Sequence, residues 1–267
     1  MNIKFLEFIG RKLRPIELAL LLKYFFRIKR RTFTLADQRS YYIDPISDLG
    51  LRLQKQQMYE PEMSKVIAEI LEDGDTFIDL GSNEGYFAIL GGEKCGSSGK
   101  VYAIEPQARL WGIITKNVLL NNLTNVHLLP YGVGAEKQEL VLQLYPSVNS
   151  GASSFSPKFN FKISFGWLRK KIYGTQNSKI VILDSLLPVI SDTIKLIKID
   201  IEGFEYEALK GASEMLKRQL LQYILIEIHP DALKGMKQSE SDIDELLSSC
   251  GYSKDKISDN LNLYTIQ

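Results

Sequence analysis

The chain has only two cysteines and two histidines in 267 residues. Cys95 and Cys250 are too few for a disulfide scaffold and read as ordinary reduced thiols. No strict metal-ligand spacing occurs, and no metal is expected. No apolar run approaches the ~20 residues that span a bilayer. The longest, 16–22, is interrupted by Glu17 and closed by Lys23. No small-residue cleavage site follows it, so neither a membrane span nor a signal peptide is expected, and the chain reads as cytoplasmic. Net charge is +1, which gives no ground for nucleic-acid binding. Internal repeats and long low-complexity segments are missing too. What is there is 45% apolar and 24% charged. That suits one large domain, or one domain with an appendage, whose core needs no staples.

The small net charge hides an asymmetry. Residues 1–31 hold nine basic and two acidic side chains, a balance of +7 that leaves −6 for the rest. Apolar residues between them (Phe5, Leu6, Phe8, Ile9, Leu13, then Leu18, Leu21, Leu22, Phe25, Phe26) have the spacing of amphipathic helices, broken near Pro15. Residues 1–40 therefore form a basic arm ahead of a domain at 41–267. Two readings of the arm stand. It rests on an anionic membrane or grips a partner through residues 1–31, or it packs on the domain with its basic face solvated. Because every cofactor motif lies downstream, its deletion is expected to spare cofactor binding.

From residue 41 the pattern becomes regular. Residues 41–53 read as short strands and turns, and 62–71 as a helix started by Pro61. Strands at 76–80, 100–104 and 126–129 alternate with helices at 86–92 and 108–121. This rhythm predicts a parallel sheet with helices on both faces. An extra strand near an edge is expected at 140–145, and further strands at 179–183, 193–200 and 222–228. Helices are expected at 205–216 and 239–249, and a closing hairpin at 252–258 and 262–266. Residues 146–178 break the pattern as a 33-residue insertion. Loops of that length are usually functional or disordered. Its Ser153, Ser154, Phe155, Phe159, Phe161, Phe165, Trp167 and Tyr173 are candidates to cover a substrate, or to pack as a mini-core.

At 78–86 a strand passes into a helix through Ile-Asp-Leu-Gly-Ser-Asn-Glu-Gly-Tyr. Glycine lets the backbone turn there and approach a ligand. Twenty residues past Gly85, at the next strand end, stands Glu105, placed to accept two hydrogen bonds from a ribose diol. Together they indicate an adenosine-type cofactor. A dinucleotide fingerprint would need glycine at 81, 83 and 86, but Asn83 and Tyr86 occupy two of those places. S-adenosylmethionine has no phosphate and tolerates Asn83. The loop thus favours it over a nicotinamide, with Asp79, Gly81, Ser82, Asn83, Gly85 and Glu105 as its candidate contacts.

These residues resemble the FkbM-type S-adenosylmethionine-dependent methyltransferases. The matching stretches are YEPE at 59–62, FIDLGSNEGYFA at 77–88, VYAIEPQ at 101–107, NVLLNNLTNVHLLPYGVG at 117–134, LIKIDIEGFEYEALKGA at 196–212 and IEIHP at 226–230. The resemblance implies an α/β class I methyltransferase (Rossmann-like) fold, a mostly parallel seven-stranded sheet whose last strand is antiparallel. It implies methylation of a hydroxyl on a sugar, glycan or other natural product. It also adds Glu60, at a helix start, to the candidate cofactor contacts.

Asp200, Glu202 and Glu205 follow the strand at 193–200. In an open parallel sheet, ligands bind beyond the carboxyl ends of the strands. Asp200 is a candidate for the reaction centre or the cofactor's amino group, and Glu202 for the general base. Glu205 is expected on a solvated helix face. His229, at the end of the next strand, is a second candidate base because imidazole titrates near neutrality. Alternation puts Glu227 on its face, and with Asp200 and Glu202 these could form an oxygen-and-nitrogen cation site. His127 is expected to be structural. Competing functions are a nicotinamide-dependent oxidoreductase and a non-catalytic cofactor-binding module tethered to a membrane or partner.

Overall fold

The computed structural model describes residues 2–12, 16–155, 174–190 and 193–267. Its strands are β1 (Arg31–Thr34), β2 (Ser40–Ile43), β3 (Thr76–Leu80), β4 (Lys100–Ile104), β5 (Val126–Leu129) and β6 (Gly132–Val133). They continue with β7 (Gln138–Leu144), β8 (Gly174–Val181), β9 (Ile194–Ile199), β10 (Leu221–Glu227), β11 (Tyr252–Lys256) and β12 (Leu261–Ile266). One seven-stranded sheet has the order β11-β12-β10-β9-β3-β4-β5. Strands β3, β4, β5, β9 and β10 pair in parallel, and β12 runs antiparallel to both β10 and β11. This is the class I methyltransferase fold that the family resemblance implied, built on the parallel sheet that the strand–helix rhythm predicted.

Strand alternation explains why the central strands are apolar on both sides. Ile78, Leu80, Ile197 and Ile199 pack into one core layer. Phe77 and Leu196 point the other way, into a layer with Phe87, Ile89 and Ile114. The loops at the carboxyl ends of β3, β4, β9 and β10 are left to build a cleft.

Three expectations need correction. Residues 41–53 are not only strands and turns: a helix runs over Asp48–Gln56, capped by Ser47, whose hydroxyl accepts from the Gly50 amide. Its Leu49 and Leu53 enter one core and Leu51 another, so no single apolar face betrays the helix in the sequence. The helix expected at 205–216 is two, Glu205–Lys210 and Ser213–Lys217. They part at Gly211, which lies so close to the Gly134 carbonyl that a Cβ there would stand 2.1 Å from it. The extra strand does not border the main sheet either. As β7 it pairs with β8 in a separate three-stranded sheet with β6.

The basic segment forms a helix at Ile3–Glu7, a π-helical turn at Phe8–Lys12 and a helix at Ile16–Phe25. Leu6, Ile9, Ala19 and Ile28 pack against Ile46, Leu51 and Val148 in a small core of their own. Lys23 pairs with the buried Asp44 and donates to the Ser147 hydroxyl. Of the insertion, a 3₁₀ segment at Ser147–Ala152, residues 153–155 and the first part of β8 at 174–178 are described, so the expected strand at 179–183 begins earlier, inside the insertion. Phe159, Phe161, Phe165, Trp167 and Tyr173 lie outside the described residues.

Candidate active site

The cleft at the strand ends encloses about 1080 Å³, part of it open to solvent. Six carboxylates line it: Glu60, Glu84, Glu105, Asp200, Glu202 and Glu227. Lys198 and His229 are the cations among its lining, and apolar walls come from residues such as Tyr59, Phe87, Pro106 and Phe155.

The glycine loop forms one side. Gly81 has a φ of +75°, and a Cβ there would stand 1.9 Å from the Asp200 carbonyl oxygen, so only glycine lets β3 and β9 end this close together. Asn83, also at positive φ, donates its amide to Glu105 at 2.8 Å. The other Glu105 oxygen accepts from the Gln107 amide at 2.8 Å. Burial pushes the Glu105 carboxyl up to about 7, against the pull of these two donors and of Lys198. The remnant of the insertion closes over this corner: the Ser150 hydroxyl donates to the Asn83 side-chain carbonyl at 2.8 Å, and the Ser153 hydroxyl donates to Gln107 at 3.1 Å. Beneath the loop, Arg30 grips the buried Glu84 with two hydrogen bonds of 2.8 and 2.7 Å.

The other side is built on Lys198. Its ammonium, 1% exposed, lies 3.1 Å from Asp79 and 3.5 Å from Asp200. It also donates to the carbonyls of Leu80 and Gly81 at 3.2 and 3.0 Å. Burial alone would lower the ammonium, but the charges of Asp79, Asp200 and Glu60 outweigh it and raise it above the ordinary lysine range. Glu60 sits just before Pro61 in a left-handed conformation (φ +41°) and offers no cap to the helix it precedes. Its carboxylate turns into the cleft instead. Oxygen Oε2 is buried with no hydrogen-bond partner among the described residues, and burial, with Asp200 and Glu227 nearby, lifts the group to about 7.

His229 occupies the third wall. Nδ1 lies 2.9 Å from Oε1 of Glu205, which is 0% exposed and also accepts from the Gly203 amide. Nε2 faces Glu202 at 3.6 Å and Asp200 at 3.8 Å. Burial would lower the imidazolium, but the Glu205 bond and the surrounding carboxylates outweigh it and lift it to about 10. Burial pushes Glu202 up to about 7, His229 pulling against it. Glu202 too holds a left-handed conformation (φ +53°), its carbonyl accepting from the Ser154 hydroxyl at 2.7 Å. Asp200, Glu227 and His229 bring one ligand atom each within 4.8 Å of one another. The imidazolium and these carboxylates form a salt-linked network, and a cation would have to displace the imidazole proton.

The cleft thus brings together Glu60, Gly81, Ser82, Asn83, Glu105, Asp200, Glu202 and His229. Two sequence candidates stand apart from its lining. Asp79 is fully buried behind it, where it neutralises Lys198. Gly85 starts the helix Tyr86–Lys94 at φ +85° and faces Ile114. His127 is exposed on β5, against the Tyr102 ring. Glu205, expected on a solvated face, is wholly buried against His229. Lys198 and Arg30 went unnoticed. The alternation of β9 could have flagged Lys198, a charge set inside the apolar run ILE-LYS-LEU-ILE-LYS-ILE. Nothing local signals that Arg30 reaches the loop 54 residues on.

The model of the methyltransferase FkbM domain matches residues 79–254, which includes every wall of the cleft but the Glu60 corner. A hexuronic acid methyltransferase, AglP of Haloferax volcanii, is 25% identical over 170 residues, 64% of this chain and 62% of its own. This chain thus spans less than two thirds of that relative's length. A methyltransferase of Sordaria araneosa, sdnD, is 27% identical over 201 residues, 67% of this chain and 74% of its own. Among solved structures, a putative rRNA methylase of Clostridium thermocellum is 14% identical with a TM-score of 0.47, covering 78% of this chain and 95% of that one. With the family's domain spanning well over half of its length, its fold and its acid-lined cleft, the chain belongs to the FkbM-domain methyltransferases.

Proposed function

We propose that the protein is an S-adenosylmethionine-dependent methyltransferase acting on a hydroxyl of a sugar, glycan or other natural product. The observation that carries the reading is the cleft's excess of acidic groups: five lining carboxyl groups besides the Arg30-paired Glu84, against Lys198 and His229, with one oxygen of Glu60 buried and without a hydrogen-bond partner among the described residues. A cofactor bearing a sulfonium and an ammonium fits such a lining, because buried acceptors need donors or positive charge. A pyrophosphate would meet repulsion. Glu105 fits the ribose diol: each oxygen uses one acceptor site on a backbone amide and keeps another. Glu60 and Asp200 would hold the ammonium end. Once bound, the cofactor supplies an electrophilic methyl group.

The chain's own residues do the rest. Alignment of the acceptor with the donor supplies most of the rate in such a displacement. Glu202, whose carboxyl ionises near 7, accepts the hydroxyl proton at its side-chain oxygen. His229 keeps its proton up to about 10, so it holds charge rather than taking protons from the acceptor. It stabilises the Glu202 carboxylate from 3.6 Å. Aromatic and apolar walls exclude water. The relative named for hexuronic acid supports a sugar-class acceptor.

Calorimetric titration with S-adenosylmethionine and with NAD tests the cofactor, and transfer of radiolabelled methyl to hexuronic-acid-containing and neutral glycans tests the acceptor. Saturable binding of NAD without binding of S-adenosylmethionine would overturn the proposal.

A further inference from the structure

The helix Ile16–Phe25 has two faces with different partners. Ala19, wholly buried, packs into the small core with Ile46, Leu51 and Val148. Outward stand Leu18, Leu21 and Phe25, at helical spacing, exposed by 41%, 56% and 77%, with Tyr24 at 85% beside them. The helix ends on Arg27 in a left-handed conformation, and the Ile28 amide bonds back to the Lys23 carbonyl. That turn presents Phe26, which meets Phe25 and Phe5 edge-to-face. Seven of the twelve exposed large apolar residues among the described residues fall between Ile3 and Phe26. Scattered exposed apolar residues are ordinary, but a concentration on one segment marks a contact surface. Exposed Lys4, Arg27 and Lys29 border it and make no ion pair among the described residues, whereas Lys23 and Arg30 are committed to Asp44 and Glu84.

We propose that this face docks onto an anionic lipid surface. A helix whose outer face carries aromatic and leucine side chains, with the cations Lys4, Arg27 and Lys29 on the segments that flank it, lies in the headgroup plane. There its apolar side chains leave water and its cations meet lipid phosphates or carboxylates. A protein partner would have to supply both a dry patch and a fringe of acids. The lipid surface supplies both by its nature, and the charge asymmetry of the chain, +7 in residues 1–31 against −6 elsewhere, orients it. The inner face is already docked, so binding needs no unfolding of the arm. The inference does not rest on the methyltransferase reading.

The test is sedimentation of the full chain with vesicles of phosphatidylcholine alone and of phosphatidylcholine mixed with phosphatidylglycerol, at low and high salt. The expected result is binding to the mixed vesicles only, weakened by salt because screening shortens the reach of surface charge. A variant carrying Lys4→Gln, Arg27→Gln and Lys29→Gln should bind on the order of 10²-fold more weakly, roughly fivefold per charge. Leu21→Ser with Tyr24→Ser and Phe25→Ser should abolish binding while the thermal midpoint stays unchanged, since these side chains are exposed. Absence of binding to the mixed vesicles overturns the proposal. So does equal binding to both vesicle types, or a concentration-dependent dimer of the free chain that the serine variant dissolves.

Discussion

Glu205 Oε1 lies 2.9 Å from His229 Nδ1, and the carboxylate is completely buried. A buried carboxylate on one ring nitrogen fixes the orientation of the imidazole and holds its proton, leaving Nε2 directed at Glu202 and Asp200. Replacing Glu205 with Gln should therefore lower the His229 pKa from about 10 by roughly 1–3 units. With only two histidines in the chain, NMR titration can follow each separately. An unmoved His229 titration would show that Glu205 is merely structural. The sign for stability follows: His229 is raised above its ordinary value, so its contribution is full below about 6.5 and is lost as pH rises through about 10.

Glu202 offers a second measurement. Below about 7 it is protonated and cannot accept a proton, so kcat should rise with pH through that range. Glu202→Gln should flatten this limb and slow methyl transfer by ~10²–10⁴-fold, with little change in cofactor affinity. Glu60 ionises in the same range, so Glu60→Gln serves as the control. It should keep the limb and weaken cofactor binding instead. The opposite pattern would make Glu60 the base.

Lys198 and Asp79 form a buried pair, 1% and 0% exposed. Breaking such a pair strands a charge, whereas removing both partners does not. Lys198→Met should cost ~3–5 kcal/mol in urea unfolding. Adding Asp79→Leu should restore much of that loss. If the double variant is as unstable as the single, packing rather than charge explains the effect.

Arg30 ties the basic arm to the glycine loop, so the expectation that the arm is dispensable for cofactor binding becomes a direct test. Deleting residues 1–31 removes its guanidinium from Glu84, which is 1% exposed within the glycine loop. Arg30→Met should lower the thermal midpoint and weaken S-adenosylmethionine binding, and the deletion should do at least as much. Deletion with unchanged affinity would place the loop's support elsewhere.

Gly81→Ala should be harmful before any ligand is considered. The new Cβ meets the Asp200 carbonyl, and φ of +75° costs an L residue roughly 1–2 kcal/mol. Lower stability of the ligand-free protein is the expected outcome. A fully stable variant with lost affinity would instead mean that the glycine makes room for ligand.

The sequence alone determined the alternation of strands and helices, the glycine loop, and Glu105 at the next strand end. Those features are local: each depends on a period of two or 3.6, on glycine's conformational range, or on a short spacing along the chain. It also placed Asp200, Glu202 and His229 at strand ends, since parallel strands share one ligand-facing edge. Only the tertiary structure decided what those groups are. Asp79 reads like a cofactor contact until the pairing of β3 with β9 sets it opposite Lys198, inside the sheet's layer. Glu205 reads like a surface residue until the chain turns at Gly203 and brings it under His229 from β10. Likewise, Lys23 and Arg30 look like free charge until folding hands them Asp44 and Glu84. Burial and partners set a side chain's charge, and both arise between segments far apart in sequence, where no local pattern records them.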